Sequence, residues 1–291
     1  MKQLSEQELI EVLREHFSEK KKAMKDLDAL TRELERVNGR LLEAEALKSR
    51  FLSNVRNEFN NPLTAILGLA RQLGKASDDP RKVVASAEMI HREAFGLDFQ
   101  LQNICAAAEL EAGEAAPDLA RVEMAGLVAE VFDAFEHQAV SRDVDLRIVS
   151  PESLVVVSDA RKLHLILSNL VANALEFSPV GEAVSVEIAR RAGRLSMTVA
   201  NAGGSIAPAD RDIVFDRFRQ LDEGTNKKHR GHGLGLSVTK SLVDMLGGEI
   251  TLGGSDGSGF QVTVSFPEAD ADVDVLAQTG NLFLFGETER F

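Results

Sequence analysis

The spacing of apolar positions changes along the chain, and the changes divide it. From Leu27, the residues Leu30, Leu34, Val37, Leu41 and Ala44 follow at steps of three and four within a highly charged first 50 residues, a heptad seam. The seam runs without a breaker into Leu47, Phe51 and Val55, then into Phe59, Leu63, Ile66, Ala70 and Leu73. It is read as a parallel coiled-coil dimer, with one amphipathic helix packed on its own domain as the alternative. Gly74–Pro80 (GKASDDP) has turn composition. A second amphipathic helix is expected over Arg81–Glu111, with Val84, Met89, Phe95, Leu101, Ile104 and Leu110 among its apolar residues and Phe99 and Cys105 assigned to the core. The two helices make an antiparallel hairpin, and two hairpins make a dimeric four-helix bundle.

Gly113–Leu119 reads as a linker, and beyond it helical and alternating patterns mix. Helices are expected over Val122–Val140 and Lys162–Phe177 and from near Ser237. A strand is expected at Leu154–Ser158, a hairpin of Val184–Ile188 and Leu195–Ala200 around Arg190–Gly193, and a last strand at Phe260–Phe266. The class is α+β, an α/β sandwich with helices on one face of a sheet, preceded by the helical hairpin. The division is 1–47 for the N-terminal helix, 48–113 for the hairpin, 118–268 for the α+β domain and 269–291 for a tail. The tail alternates acidic residues (Glu268, Asp270, Asp272, Asp274) before an apolar run at Asn281–Phe285, whose purpose stays open.

Composition narrows the function. The chain of 291 residues is 44% apolar, enough for a full core, and 33 basic against 46 acidic residues leave a net charge of −13. That balance argues against nucleic-acid binding by phosphate neutralisation, and the absence of Trp and Tyr leaves little for stacking on bases. Cys105 is the single cysteine, so no disulfide framework exists. No run of about 18 apolar residues suggests a membrane span, and a cytoplasmic protein is expected.

Four segments carry candidate chemistry. Asn57, Glu58, Asn60 and Asn61 crowd the turn before Pro62, which removes one amide donor and frees the carbonyl of Glu58. Asn169 and Asn173 stand four apart on one helix face, as caps, solvated residues or ligands. Strand Leu195–Ala200 leads into Asn201-Ala202-Gly203-Gly204-Ser205-Ile206. Gly231-His232-Gly233-Leu234-Gly235-Leu236 precedes a helix, where glycines admit close approach of an anion to backbone amides and the helix dipole favours it.

Taken in order, these segments resemble the sensor histidine kinases over about residues 48–268. Phe51, Glu58, Asn61, Pro62 and Leu63 match the phosphoacceptor helix of that family, and Asn57 stands where the family has its histidine. The resemblance implies an ATP-binding domain in which Asn169 and Asn173 form the asparagine box, Asn173 holding Mg²⁺ through a hard amide oxygen. Asn201, Gly203 and Ile206 would form the adenine box, Asn201 in place of the family's Asp and Ser205 in place of its last Gly. Asn201 still accepts from the adenine amino group but loses the charge-assisted part, on the order of 1 kcal/mol. Phe215, Arg217 and Phe218 match the phenylalanine box. Lys227, Lys228 and Arg230 would meet phosphates beside Gly231, Gly233, Leu234, Gly235 and Leu236. Glu176 replaces a frequent Lys or Arg and places a repulsive carboxylate near the triphosphate.

The implied function is histidine-kinase-like two-component signalling with ATP and Mg²⁺. Its partners would be a second copy through the hairpin, a response-regulator receiver domain, and a sensor or kinase partner supplying the input. An amide nitrogen is a very poor nucleophile, so self-phosphorylation at Asn57 is not expected. Asn61, at the position credited with orienting water on the regulator's aspartyl phosphate, points to a phosphatase, with scaffold and heterodimer roles beside it. The alternatives are a kinase using a histidine elsewhere or in trans, and a nucleotide-free interaction scaffold. His91, the one histidine on the hairpin, falls about six residues, or ~9 Å, nearer the turn than Asn57 does. A chaperone-, gyrase- or repair-type ATPase would usually carry Glu where Asn169 stands.

Overall fold

The computed structural model describes residues 6–75, 79–149, 154–191, 193–204, 206–211, 213–217, 233–255 and 259–268. Residues 1–53 form one compact unit and 54–291 another. In the first, the helix that begins at Glu6 has the side chains of Leu27, Leu30, Leu34, Val37 and Leu41 exposed, so the heptad seam is an uncovered apolar stripe. This helix, α1, spans Glu6–Leu73 and continues through Pro62 as one element.

In the second unit, helix α2 covers Pro80–Ala112. Asp79 caps it by accepting from the Arg81 amide, and Pro80 occupies the first turn, where a missing amide costs nothing. Gly113, in the left-handed region at φ 70°, ends it by donating to the Leu110 carbonyl. Phe95 and Phe99 of α2 meet Phe135 edge-on at 5.4 and 5.5 Å between ring centres, anchoring α2 on the following domain. Cys105, assigned to the core from sequence, is exposed. A lone cysteine in an alanine-rich helix segment reads as apolar whichever way it faces.

The domain that follows runs β1 (Ala120–Glu123), α3 (Met124–Ser141), β2 (Asp145–Val149), β3 (Val155–Ser158), α4 (Ala160–Phe177), β4 (Ala183–Arg191), β5 (Arg194–Asn201), α5 (Gly235–Met245), β6 (Glu249–Ser255) and β7 (Gly259–Pro267). Two short 3₁₀ turns, Pro208–Asp210 and Ile213–Phe215, lie between β5 and α5. The main sheet has the order β2-β4-β5-β7-β6, with β2 parallel to β4 and the other pairs antiparallel, while β1 and β3 form a separate antiparallel pair.

Strand alternation builds the core. Val184, Val186 and Ile188 of β4, Leu195, Met197 and Val199 of β5, and Val262, Val264 and Phe266 of β7 are all buried. Register aligns them in rows across the sheet, such as Ile188–Met197–Val264–Ile250. Helices α3, α4 and α5 cover this face, α3 over β2, α4 over β4 and β5, and α5 over β6 and β7. The alternate positions carry polar pairs instead, Thr198 meeting Thr263 hydroxyl to hydroxyl at 2.9 Å.

The expected helix over Val122–Val140 is corrected at its start. Val122 is fully buried in β1 opposite Val156, and the helix begins only after Glu123, whose carboxylate accepts from the Ala125 and Gly126 amides at 3.0 and 2.6 Å. The helix expected from Lys162 starts at Ala160, behind the cap Asp159, and α5 starts at Gly235 rather than near Ser237. Strands β2 and β6 were not expected. The edge strand β2 leaves Ile148 and Val149 exposed, and β6 carries Gly253 and Gly254, so neither shows the alternation of a half-buried strand.

Candidate nucleotide-binding site

The centre of the site is the buried face of α4. Asp159 caps this helix, accepting from the Lys162 amide at 3.0 Å and the Lys162 ammonium at 2.5 Å, and also takes the Asp118 amide at 2.8 Å, which pins the linker. At the other end Arg142 donates to the carbonyls of Leu175 and Glu176 at 3.2 and 3.0 Å, a cation on the negative helix terminus. Between these fixed ends, Leu163, Ile166, Leu167 and Leu170 fill the core, which turns Asn169 and Asn173 toward the opposite side.

A cavity of about 1120 Å³ opens there between α2, α3, α4 and the start of α5. Asn103, Asn169, Asn173, Glu176, Leu234 and Gly235 are among its lining residues. Asn169 is 2% exposed, and its amide nitrogen donates to the Asn103 side-chain oxygen at 2.7 Å. Asn173 is half-buried one turn on. A side chain at position 235 would meet the Asn169 oxygen at 3.3 Å, so Gly235 lets the start of α5 approach the asparagines. No side chain caps that helix, and Gly233 before it has φ 65°. Uncapped amides on an eleven-residue helix, facing two carboxamide-bearing positions, suit an anion with a hard cation.

At the end of β5, Asn201 is 7% exposed and its amide nitrogen has no hydrogen-bond partner among the described residues. Gly203 follows it so closely against α4 that a Cβ would lie 2.2 Å from the Phe177 carbonyl oxygen and 2.5 Å from the Asn201 amide nitrogen. Asn201 is thereby held beside the C-terminal end of α4, the end that carries Asn173 and Glu176. Ile206 and Phe215 are half-buried beyond it. Arg217 approaches Glu111 of α2 at 3.6 Å. Leu234 is buried and Leu236 half-buried at the start of α5. Phe218, Lys227, Lys228, Arg230 and Gly231 lie outside the described residues.

On α1, Asn61 is exposed, while the side chains of Asn57 and Glu58 lie outside those described. His91 is exposed on α2 and lines the cavity. The sequence reading missed Asn103. Its signal is a polar residue in step with Phe95 and Phe99 on an otherwise apolar stripe. It also missed His164 on α4, whose burial pushes its imidazole down to about 4.

Residues 158–270 match the family described as histidine kinase-, DNA gyrase B- and HSP90-like ATPase. The chain carries a histidine-kinase-like ATPase domain. A hybrid signal transduction histidine kinase D from Dictyostelium discoideum is 30% identical over 87% of this chain and 17% of its own length. The sensor-like histidine kinase SenX3 of Mycobacterium tuberculosis is 31% identical over 77% of this chain and 54% of its own. Full-length ShkA in complex with AMPPNP shares 27% identity at a TM-score of 0.54, over 78% of this chain and 46% of that one. By name the two sequence relatives are histidine kinases. This chain spans little more than half of the SenX3 length and far less of the Dictyostelium protein. Among the described residues, no helix is long and apolar enough to cross a membrane.

Proposed function

We propose that this chain is a histidine-kinase-like signalling protein that binds ATP with Mg²⁺ in its ATPase domain and acts on a response-regulator receiver domain without phosphorylating itself at Asn57. The observation that carries the nucleotide part is the convergence of Asn169, Asn173 and the uncapped start of α5 on one cavity. These residues fit the group. Asn173 would hold the metal through its amide oxygen, while the α5 amides would take phosphate oxygens. The bound nucleotide would supply a transferable phosphoryl group. Glu176, which lines the same cavity, would lower affinity by repulsion.

The second part rests on α1. An asparagine at position 57 presents an amide whose lone pair is delocalised, so no phosphoramidate forms there. Asn61, exposed one turn later, is free to hold a water in line with an aspartyl phosphate on a docked regulator, and Glu58 stands beside it in sequence. The exposed seam Leu27–Leu41 and the exposed Leu63, Leu67, Val84 and Met89 support pairing with a second chain, as a homodimer or with a kinase partner.

The test is incubation with γ-labelled ATP and magnesium of wild type, Asn57→His and Asn173→Ala, with a nucleotide-binding titration of each. Expected are binding by wild type, loss of binding in Asn173→Ala, and acid-labile label on Asn57→His alone. Label on wild type would sink the proposal for Asn57. In a parallel assay on a phosphorylated regulator, Asn61→Ala should release phosphate more slowly; an unchanged rate removes the phosphatase role.

A further inference from the structure

The main sheet ends in two edges, β2 and β6, and they differ. On β2 the neighbouring residues Ile148 and Val149 are 45% and 59% exposed, whereas Ile250 and Leu252 of β6 are half-buried. Register puts Ile148 beside the buried Val186, on the face that the helices cover, and Val149 beside Glu187, on the opposite face. Both faces of β2 therefore lack apolar cover at the edge, and among the described residues no strand lies along its outer side. A strand with alternating polarity would serve one face only. Leu282-Phe283-Leu284-Phe285 does not alternate and offers apolar side chains to both.

The chain leaves the sheet in the direction that delivers this segment. Strand β7 ends at Pro267 opposite Arg194, and the end of β4 and the Val149 end of β2 lie on that same side of the sheet. The next residue, Glu268, pairs with Arg190 of β4 across the intervening β5, toward β2 and away from β6. Asp270, Asp272 and Asp274 follow it. At this end of the sheet Arg190, Arg191 and Arg194 outnumber Glu187 and Glu249, the carboxylates that pair with the last two, so an acidic segment meets a basic rim. From β7 to a position outside β2 is four strand spacings, roughly 19 Å. Twelve residues separate Glu268 from Asn281, and extended they reach roughly 40 Å.

We propose that residues 281–285 of this chain add to the outer edge of β2 as a sixth strand of the main sheet and cover Ile148 and Val149. Entering from the Val149 end, the segment runs antiparallel to β2. It satisfies the backbone groups of the edge from within the chain, which withholds that edge from strands of other chains.

The test is hydrogen exchange, read by mass spectrometry on the full chain, of wild type and of the double variant Phe283→Asp/Leu284→Asp, which puts a charge on each face of the added strand. Circular dichroism checks that both fold. In wild type the outward amides of β2 should exchange at least about tenfold more slowly than in the variant, because the added pairing must open before they exchange. Peptides from β6 should exchange alike in the two proteins. Equal exchange of β2 in both proteins overturns the proposal, and so does a difference at β6 instead, which puts the segment on the other edge. Protection of β2 that disappears on dilution also overturns it, since the strand then comes from a second copy.

Discussion

Asn103 of α2 and Asn169 of α4 meet side chain to side chain at 2.7 Å across 66 positions of sequence, both buried. Asn169 also bears on Gly235, so this bond ties α2 to the asparagine at the centre of the candidate site. Asn103 further donates to the Phe99 carbonyl of its own helix at 3.0 Å, which fixes which end of its amide faces Asn169.

Removing one partner leaves the other buried and unpaired. Asn103→Ala should therefore lose about 1–3 kcal/mol of stability, measured by urea denaturation, and Asn169→Ala a similar amount. Asn103→Asp keeps the acceptor for Asn169 but buries a charge and sets a carboxylate oxygen against the Phe99 carbonyl, so it should lose at least as much as Asn103→Ala. The double variant should be less destabilised than the sum of the singles by about 0.5 kcal/mol or more, because one deletion already breaks the shared bond. Strict additivity would show that the two side chains do not interact.

Much of this site is written locally. The glycines around Leu234, the four-residue step from Asn169 to Asn173 and the strand that ends at Asn201 each carry their meaning within a few residues. The alternation of Val184–Ile188 and Leu195–Ala200 likewise announces strands, because one face of the sheet is buried and the other polar. The Asn103–Asn169 bond is different. Nothing at either residue names the other, and only the docking of Phe95 and Phe99 on Phe135 brings them together. The edge strand β2 escaped for a related reason: its position is fixed by pairing with β4, while Ile148 and Val149 face solvent and show no buried face of their own.

Phe135 is the hinge point of that docking, 1% exposed and edge-on to both α2 rings. Phe135→Ala should cost about 3–5 kcal/mol from lost burial and cavity formation. It should also free α2, so protease sites in α2 should become accessible earlier in denaturant than sites in β5. Phe135→Leu retains much of the volume and should cost less.

Gly203 leaves no room for a side chain. A methyl there would meet the Phe177 carbonyl oxygen and the Asn201 amide at well under contact distance, and one of the two is backbone at the end of α4. Gly203→Ala should destabilise by about 1–3 kcal/mol. It should weaken nucleotide binding more than Gly204→Ala, since a side chain at 204 meets nothing within 4 Å. Equal effects of the two substitutions, measured by thermal shift with and without ADP, would count against the close packing at 203.

Asp159 joins three things at once: the first turn of α4, the Lys162 ammonium and the Asp118 amide in the linker. Asp159→Ala should cost about 1–2 kcal/mol from the cap alone, and somewhat more because the part-buried Asp118 amide in the linker loses its acceptor. Asp159→Asn preserves an acceptor for the helix amide and should recover part of the loss. Hydrogen exchange should report the difference as faster exchange at Asp118 in Asp159→Ala.

His164, 1% exposed, is held neutral by burial, its pKa lowered to about 4. In the unfolded chain the imidazole takes a proton near its ordinary value of about 6.5. The folded value lies below the unfolded one, so as pH falls below about 6.5 the unfolded state binds a proton that the folded state does not, and stability declines. It is fully present above that range and falls by up to about 1.4 kcal/mol per pH unit until the folded group itself titrates near 4. Between pH 7 and pH 5 the loss comes to about 2 kcal/mol. Urea denaturation at pH 7, 6 and 5 measures it in wild type, and His164→Gln, which does not titrate, provides the reference. The wild-type curve should steepen relative to His164→Gln over this interval. Parallel curves would mean that the imidazole keeps its ordinary proton affinity inside the fold, and that α4 is less tightly closed around it than its burial implies.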